Sequence, residues 1–319
     1  MALLKRSKEF NKVEYVEYFS PDGKVYNLSI GDTVILSEDG FGMPGIDYIQ
    51  QKGPFQHGTT IYDYRLQSRV LQFVFRKAGC TRNEYWENRS EILDIMRPNR
   101  QLLNSFEMGT LVKTLSNGEK RAIDVMVEQG PTFQYPENWD HFGFTETIRF
   151  IAPDPTFYDP TMMIVDWQLD QPDHLILPFE FDGVDMFFGQ AGVLSVGLSV
   201  QYSGTWISYP VIVLYGPFDA PVIRNLTTDE KLDISGINIA IGEKVVFDMR
   251  PGIKTVTSSI SGNIIGHLTV DSDLATFHIA CEPEANAGHN DILLETDINS
   301  VIPKESNISI EYYERYIAI

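Results

Sequence analysis

The apolar positions in the second half of this chain come in short runs, each closed by turn residues. Gly192–Tyr202, Tyr209–Tyr215, Val245–Asp248, Thr276–Ala280, Ile292–Glu295 and Ile308–Ile317 alternate with Gly, Pro, Asn and Asp. That spacing predicts a β-sandwich or barrel rather than βαβ units. The first half is mixed. Val13–Phe19, the turn Ser20-Pro21-Asp22-Gly23 and Lys24–Ile30 predict a hairpin, and Thr33–Leu36 a further short strand. Gly40–Gly58 is rich in Gly and Pro and reads as a connecting loop or mobile surface segment. Ile61–Phe75 predicts one long strand. Its end, where Leu71, Phe73 and Phe75 alternate with Val70, Gln72 and Val74, is expected to be buried on both faces.

One helix is predicted. Thr81 is placed to cap it, and Glu84, three residues on, completes a capping box. Trp86, Arg89, Leu93 and Met96, flanked by Tyr85 and Ile92, form a stripe at helical spacing, and Pro98 stops the helix. Thr110–Leu115 and Arg121–Val127 then form a hairpin around Ser116-Asn117-Gly118-Glu119, whose Asn-Gly pair marks a tight turn. Phe144–Ile151 is the last strand of this half. Pro153, Pro155 and Pro160 forbid regular pairing after it, which puts the domain boundary there, with domains over 1–157 and 158–319.

Length agrees with two domains: 319 residues exceed one typical core. A hydrophobic fraction of 43% and an aromatic fraction of 12% supply enough apolar surface to fold. With 44 acidic against 25 basic residues, the net charge of −19 argues against gripping a nucleic-acid backbone and favours solubility. Two cysteines, Cys80 and Cys281, are too few and too distant for a disulfide framework or zinc site, and both are expected reduced and buried. Met1–Phe10 carries Lys5, Arg6 and Lys8 without an apolar run behind them, so no secretory signal is read there, and no stretch is apolar enough to insert in a membrane.

Candidate chemistry is sparse. Asp154 and Asp159, and Glu282 and Glu284, are carboxylate pairs of the kind glycoside hydrolysis uses, but turn positions explain them. Asp271-Ser272-Asp273 opens like a calcium loop yet lacks its glycine and terminal glutamate, which leaves a turn. The histidines His57, His141, His174, His267, His278 and His289 show no metal-ligand spacing. No nucleophile elbow, phosphate loop or dinucleotide fingerprint occurs, so no catalytic, cofactor or metal residue is assigned. Trp167, Tyr202, Trp206 and Tyr209 offer flat rings for stacking on sugars, with Trp167 and Trp206 the leading pair, while core packing explains them equally well.

Several segments together resemble the distal tail proteins of siphophages. In the first half these are Gly42–Gly58, Arg69–Phe75, Glu84–Met96 with Arg97-Pro98-Asn99, and Arg149–Pro155. In the second they are Tyr202-Ser203-Gly204-Thr205, Tyr209-Pro210, Gly216-Pro217, Pro221–Thr228, Asp271–Leu274, Gly288-His289-Asn290 and Tyr312–Ile319. The resemblance implies a mainly β protein: a β-rich N-terminal domain with one helix, then a galectin-like, jelly-roll-type sandwich. It implies a non-enzymatic virion protein, made in the host cytoplasm and located at the tail tip. There a hexameric ring joins the tail tube protein to the tail-tip hub and anchors receptor-binding protein. No insertion here is large enough for an added carbohydrate-binding module. The hairpin at Asn117 and Gly118 is the expected ring contact, on the argument that an exposed sheet edge invites pairing. A carbohydrate-binding sandwich, a wall hydrolase and another baseplate or hub component remain the alternatives.

Overall fold

The computed structural model describes residues 14–29, 32–79, 81–97, 108–133, 143–168, 193–297 and 306–319. The protein is mainly β, with one α-helix among the described residues. Two compact units divide it: Met1–Pro160 together with Tyr316–Ile319, and Thr161–Arg315.

In the first unit the strands are β1 (Tyr15–Phe19), β2 (Val25–Asn27), β3 (Thr33–Asp39), β4 (Ile46–Gln51), β5 (Thr60–Leu66) and β6 (Arg69–Lys77). After helix α1 (Arg82–Ile95) come β7 (Gly109–Thr114), β8 (Lys120–Gln129), β9 (Phe144–Ala152) and β10 (Phe157–Tyr158). Most join one antiparallel sheet in the order β2-β1-β7-β8-β9-β6-β3. Its inner face carries Val16, Tyr18, Leu71, Phe73, Phe75 and Phe150, all buried. The Tyr18 and Phe150 rings lie 4.9 Å apart, and Phe73 meets Phe150 edge-on at 6.1 Å. On β6 the alternate residues Val70, Gln72 and Val74 are half-buried, so the strand end is buried on one face and not, as its composition predicts, on both.

The helix keeps its capping box: Thr81 accepts from the Glu84 N–H at 3.2 Å, and Glu84 accepts from the Thr81 N–H at 3.1 Å. Its buried face is Tyr85, Ile92 and Ile95, continued by Met96, while Trp86 and Leu93 are exposed. The stripe is thus rotated from the predicted one because Tyr85 is the residue that meets the core. Its ring sits edge-on to Phe144 at 5.8 Å.

The Gly- and Pro-rich segment is not a loop. Within it β4 pairs with β5, from Ile46 opposite Leu66 to Gln51 opposite Thr60. The predicted single strand over Ile61–Phe75 is correspondingly two, broken at Gln67 and Ser68. The glycines mark the ends of this ribbon. Gly45 accepts the Gln67 N–H at 2.8 Å, and a Cβ on Gly45 would lie 2.2 Å from the Gln67 side chain.

The second unit contains β11 (Met163–Gln168), β12 (Val193–Gln201), β13 (Val211–Tyr215), β14 (Phe218–Asp219), β15 (Val222–Asn225) and β16 (Glu230–Asp233). It continues through β17 (Asn238–Ile239), β18 (Lys244–Asp248), β19 (Thr255–Ser258), β20 (Gly262–Asn263), β21 (His289–Asp297) and β22 (Asn307–Tyr312), while β23 (Arg315–Tyr316), which follows, pairs with β10 in the sheet of β1 and β6 to β9. One sheet runs β11-β22-β13-β18-β19-β20 and another β12-β21-β15-β16, a sandwich with β14 and β17 paired separately. Ile212, Phe247 and Ile310 from the first sheet share a core with Val200, Ile223 and Leu294 from the second. Each such side chain removed from water contributes on the order of 2 kcal/mol.

Thr276–Ala280 is not a ladder strand, although Phe277 and Ile279 are buried there. Side chains satisfy much of its backbone instead. Asn225 donates to the His278 carbonyl at 2.8 Å, and Glu230 accepts the His278 N–H at 3.1 Å. Asn290 accepts the Ala280 N–H at 2.8 Å and donates to the Ala280 carbonyl at 3.0 Å. Through main chain it makes an isolated bridge to Ser208, across from Ile279, and the Thr276 and Phe277 N–H groups turn back to the Asp273 carbonyl. The predicted strand Ile308–Ile317 likewise breaks after Tyr312.

Candidate assembly interface

Nearly every residue of the β4–β5 ribbon is exposed. It forms its own two-stranded sheet, with no third strand among the described residues. Tyr48 (54% exposed), Ile61 (57%), Tyr62 (65%) and Tyr64 (49%) leave both its faces apolar and wet. A two-stranded ribbon is marginal in water without a face to bury, and apolar side chains grouped on a surface mark contacts. At the tip, Phe55 is fully exposed and holds φ of +63°. A left-handed aromatic residue costs about 1 kcal/mol.

At the other end the ribbon is held firmly. Gly40 has φ of +95°, and a Cβ there would come 2.2 Å from the Val70 carbonyl, so only glycine fits. The Arg69 guanidinium reaches the carbonyls of Gly40 and Gly42. Preceding the ribbon in sequence, β3 is an end strand of the sheet, with Val34 and Leu36 both 56% exposed. Between β3 and β1 lies an open groove of about 540 Å³ lined by Val16, Val34, Leu36 and Lys113. An ion pair of Lys113 on β7 with Glu38 on β3 crosses that region.

Asn117 and Gly118 sit at the exposed tip of the β7–β8 turn. Gly118, at φ +92°, donates to the Leu115 carbonyl at 2.8 Å, and Asn117 Oδ1 accepts the Glu119 N–H at 2.9 Å. Both strands have partners on either side in the sheet, so the edge expected at this hairpin lies elsewhere, on β2, β3 and the ribbon. In the sequence the first ribbon strand, Ile46–Gln51, is masked by the surrounding glycines and prolines, and the second, Thr60–Leu66, merges with the strand predicted over Ile61–Phe75.

The aromatic residues considered for sugar stacking are dispersed. Trp167 is half-buried on β11 and packs on the sandwich core. Trp206 is half-buried in the connection between β12 and β13, where its main-chain N–H donates to the Arg315 carbonyl at 3.0 Å. Tyr202 belongs to the core, and the Lys254 ammonium covers the Tyr209 ring at 4.2 Å.

The acidic candidates are engaged structurally. Asp154 accepts from the Thr156 N–H at 3.1 Å and its hydroxyl at 2.7 Å, and Asp159 faces Arg121 at 3.9 Å. Asp271 is paired with Lys231, whose hydrogen bond holds its carboxyl down at about 2. Asp273 accepts the Lys231 N–H at 3.0 Å, and Ser272 accepts the Asp233 N–H at 3.0 Å, which ties the segment to β16. Among the described residues no three His, Cys, Asp or Glu side chains are placed to hold a metal ion. Cys281 is half-buried with a free thiol, rather than buried as expected, and burial pushes that thiol's pKa up. Cys80, His141 and His174 lie outside the described residues. Glu282 is exposed, while Glu284 contacts His278 Nε2 at 3.4 Å. His278 Nδ1 meets Glu230 at 3.1 Å. Burial lowers the His278 pKa, but the bonds to Glu230 and Thr276 outweigh it and raise it to about 9.

The architecture matches that of a solved phage protein. The crystal structure of the SPP1 Dit (gp 19.1) protein, a hub adsorption apparatus component of phages infecting Gram-positive hosts, superposes with a TM-score of 0.61. The match covers 95% of this chain and 99% of that one. The two chains share a fold. Identity is 14%, so the Dit fold is kept on almost wholly different side chains. The phage P2 baseplate in its activated conformation with Ca gives a TM-score of 0.47 at 10% identity, covering 94% and 98% of the two chains. No protein-family model and no curated protein sequence matches the chain.

Proposed function

We propose that this protein is a non-enzymatic structural component of a phage tail tip. Copies of it join through the first unit into a hexameric ring between tail tube protein and tail-tip hub, and the ring carries receptor-binding protein. The observation that carries this reading is the aromatic ribbon standing free on a Dit fold. A ribbon with apolar residues on both faces is complete only against another surface, and a second copy supplies one at every position of a closed ring. The end strand β3 and the groove beside it offer that surface. The contact is heterologous, ribbon to neighbouring body, and such contacts close into rings when the rotation permits. A net charge of −19 suits a channel past which DNA moves without adhering. The deciding experiment is solution mass by light scattering across concentration. A discrete species near six times 36.2 kDa supports the ring, and its loss on replacing residues 46–66 by a short Gly-Ser turn supports the ribbon as its contact. A ring that persists without the ribbon moves the contact to the turn at Asn117 and Gly118.

A further inference from the structure

One buried cation connects three separate stretches of the first unit. The Arg69 side chain, at the start of β6, is only 3% exposed. Its Nε donates to the Pro155 carbonyl at 2.7 Å, its Nη1 to the carbonyls of Gly40 and Gly42, and its Nη2 to the Ile317 carbonyl at 2.7 Å. The guanidinium lies over the Phe157 ring at 4.5 Å, and Phe157 stacks on Phe41 at 5.8 Å. The Phe41 carbonyl in turn accepts the Ile319 N–H at 3.1 Å. These acceptors are all neutral carbonyls, and burial pulls the guanidinium pKa down to about 10. A buried charge held this way depends on every member of its shell.

We infer that Tyr316–Ile319 is a strap that fixes the root of the β4–β5 ribbon through Arg69 and Phe41. Beyond Gly45 the ribbon side chains are largely exposed, so its direction is set where Gly40–Gly42 pass the body. That passage is held by Arg69 at the carbonyls of Gly40 and Gly42 and by the Ile319 N–H at the Phe41 carbonyl between them. Strap and ribbon root share one donor group, and their order is therefore linked in both directions. Residues 316–319 follow the second unit in sequence, so the root is completed only in chains that already include that unit. If the ring forms through the ribbon, as proposed above, assembly competence is reserved for such chains.

The test is hydrogen–deuterium exchange at a concentration where light scattering gives the mass of a single chain. In a protein terminated after Tyr316, and in Arg69→Lys, amides of Ile46–Gln51 and Thr60–Leu66 are expected to exchange about tenfold faster. Amides of β13, β18 and β22 are expected to be unchanged. Unchanged ribbon exchange in the terminated protein, with β6 and β9 still protected, overturns the strap. Should termination expose the whole first unit, Ile319→Pro decides, since it removes one donor only. Faster ribbon exchange in that variant supports the strap and unchanged exchange refutes it. All readings are made on single chains, so a failed strap is distinguishable from a failed ring.

Discussion

Arg69 Nη2 donates to the carbonyl of Ile317 at 2.7 Å, across 248 residues of sequence. This bond closes the first unit with residues that follow the second. Arg69→Met leaves the carbonyls of Pro155, Gly40, Gly42 and Ile317 without their donor. At about 1 kcal/mol for each of these bonds, the first unit is expected to lose roughly 4 kcal/mol in urea unfolding. Arg69→Lys, which keeps the charge but not the fork, should recover only part of that. A loss below about 0.5 kcal/mol, the range of ordinary surface changes, counts against the role given to Arg69.

The ribbon should behave as surface in the single chain and as interface in the assembly. Ile61→Ser with Tyr62→Ser is expected to change the melting behaviour of the single chain little, within about 0.5 kcal/mol. The same pair should shift the mass distribution toward single chains. Light scattering and a denaturant titration on one preparation separate the two effects.

His278 makes the second unit pH-dependent. Its folded pKa, about 9, stands above the ordinary 6.5 because Glu230, the Thr276 carbonyl and Glu284 hold the proton against burial. A raised folded value means stabilisation that is complete below about pH 6.5 and lost as pH rises through about 9. After discounting for solvent, the loss is expected to be about 2 kcal/mol. His278→Gln should flatten the profile over that window in melts at pH 6, 8 and 10. An identical slope in the variant would assign the dependence to another group.

Asn290 stands in for a missing strand. It is fully buried and serves the Ala280 N–H and carbonyl and the Gly288 carbonyl, the last at 3.2 Å. Asn290→Ala strands those groups without water and is expected to cost about 3 kcal/mol. Asn290→Asp keeps the acceptor and loses the donors, so it should be destabilising as well. Thermal unfolding of the two variants measures both.

Local signals explain which elements were legible. The Thr81–Glu84 capping box, the Asn117-Gly118 turn and the strand predicted over Phe144–Ile151 rest on signals within a few residues, and each appears where the sequence puts it, the strand running one residue further to Ala152. Glycine and proline density over Gly40–Gly58 predicts a loop or mobile segment, whereas Gly40 and Gly45 let backbone pass close to Val70 and Gln67. Thr276–Ala280 predicts a strand because a buried apolar run looks the same whether main chain or Asn225 and Asn290 satisfy it. The exposure of Tyr62 and Tyr64 has no sequence signature, since an aromatic residue in a strand is ordinarily core.

By itself the sequence determined the class of the protein: short alternating runs, turn residues and a single capped helix leave few options other than β-rich units. Local periodicity and turn chemistry suffice for that because each acts through neighbours along the chain. Only the tertiary structure decided that Arg69 meets Ile317, that β7 and β8 lie inside the sheet, and that the ribbon stands free. Those outcomes depend on which distant groups can satisfy a buried guanidinium or cover an apolar face, and separation along the chain carries no record of it.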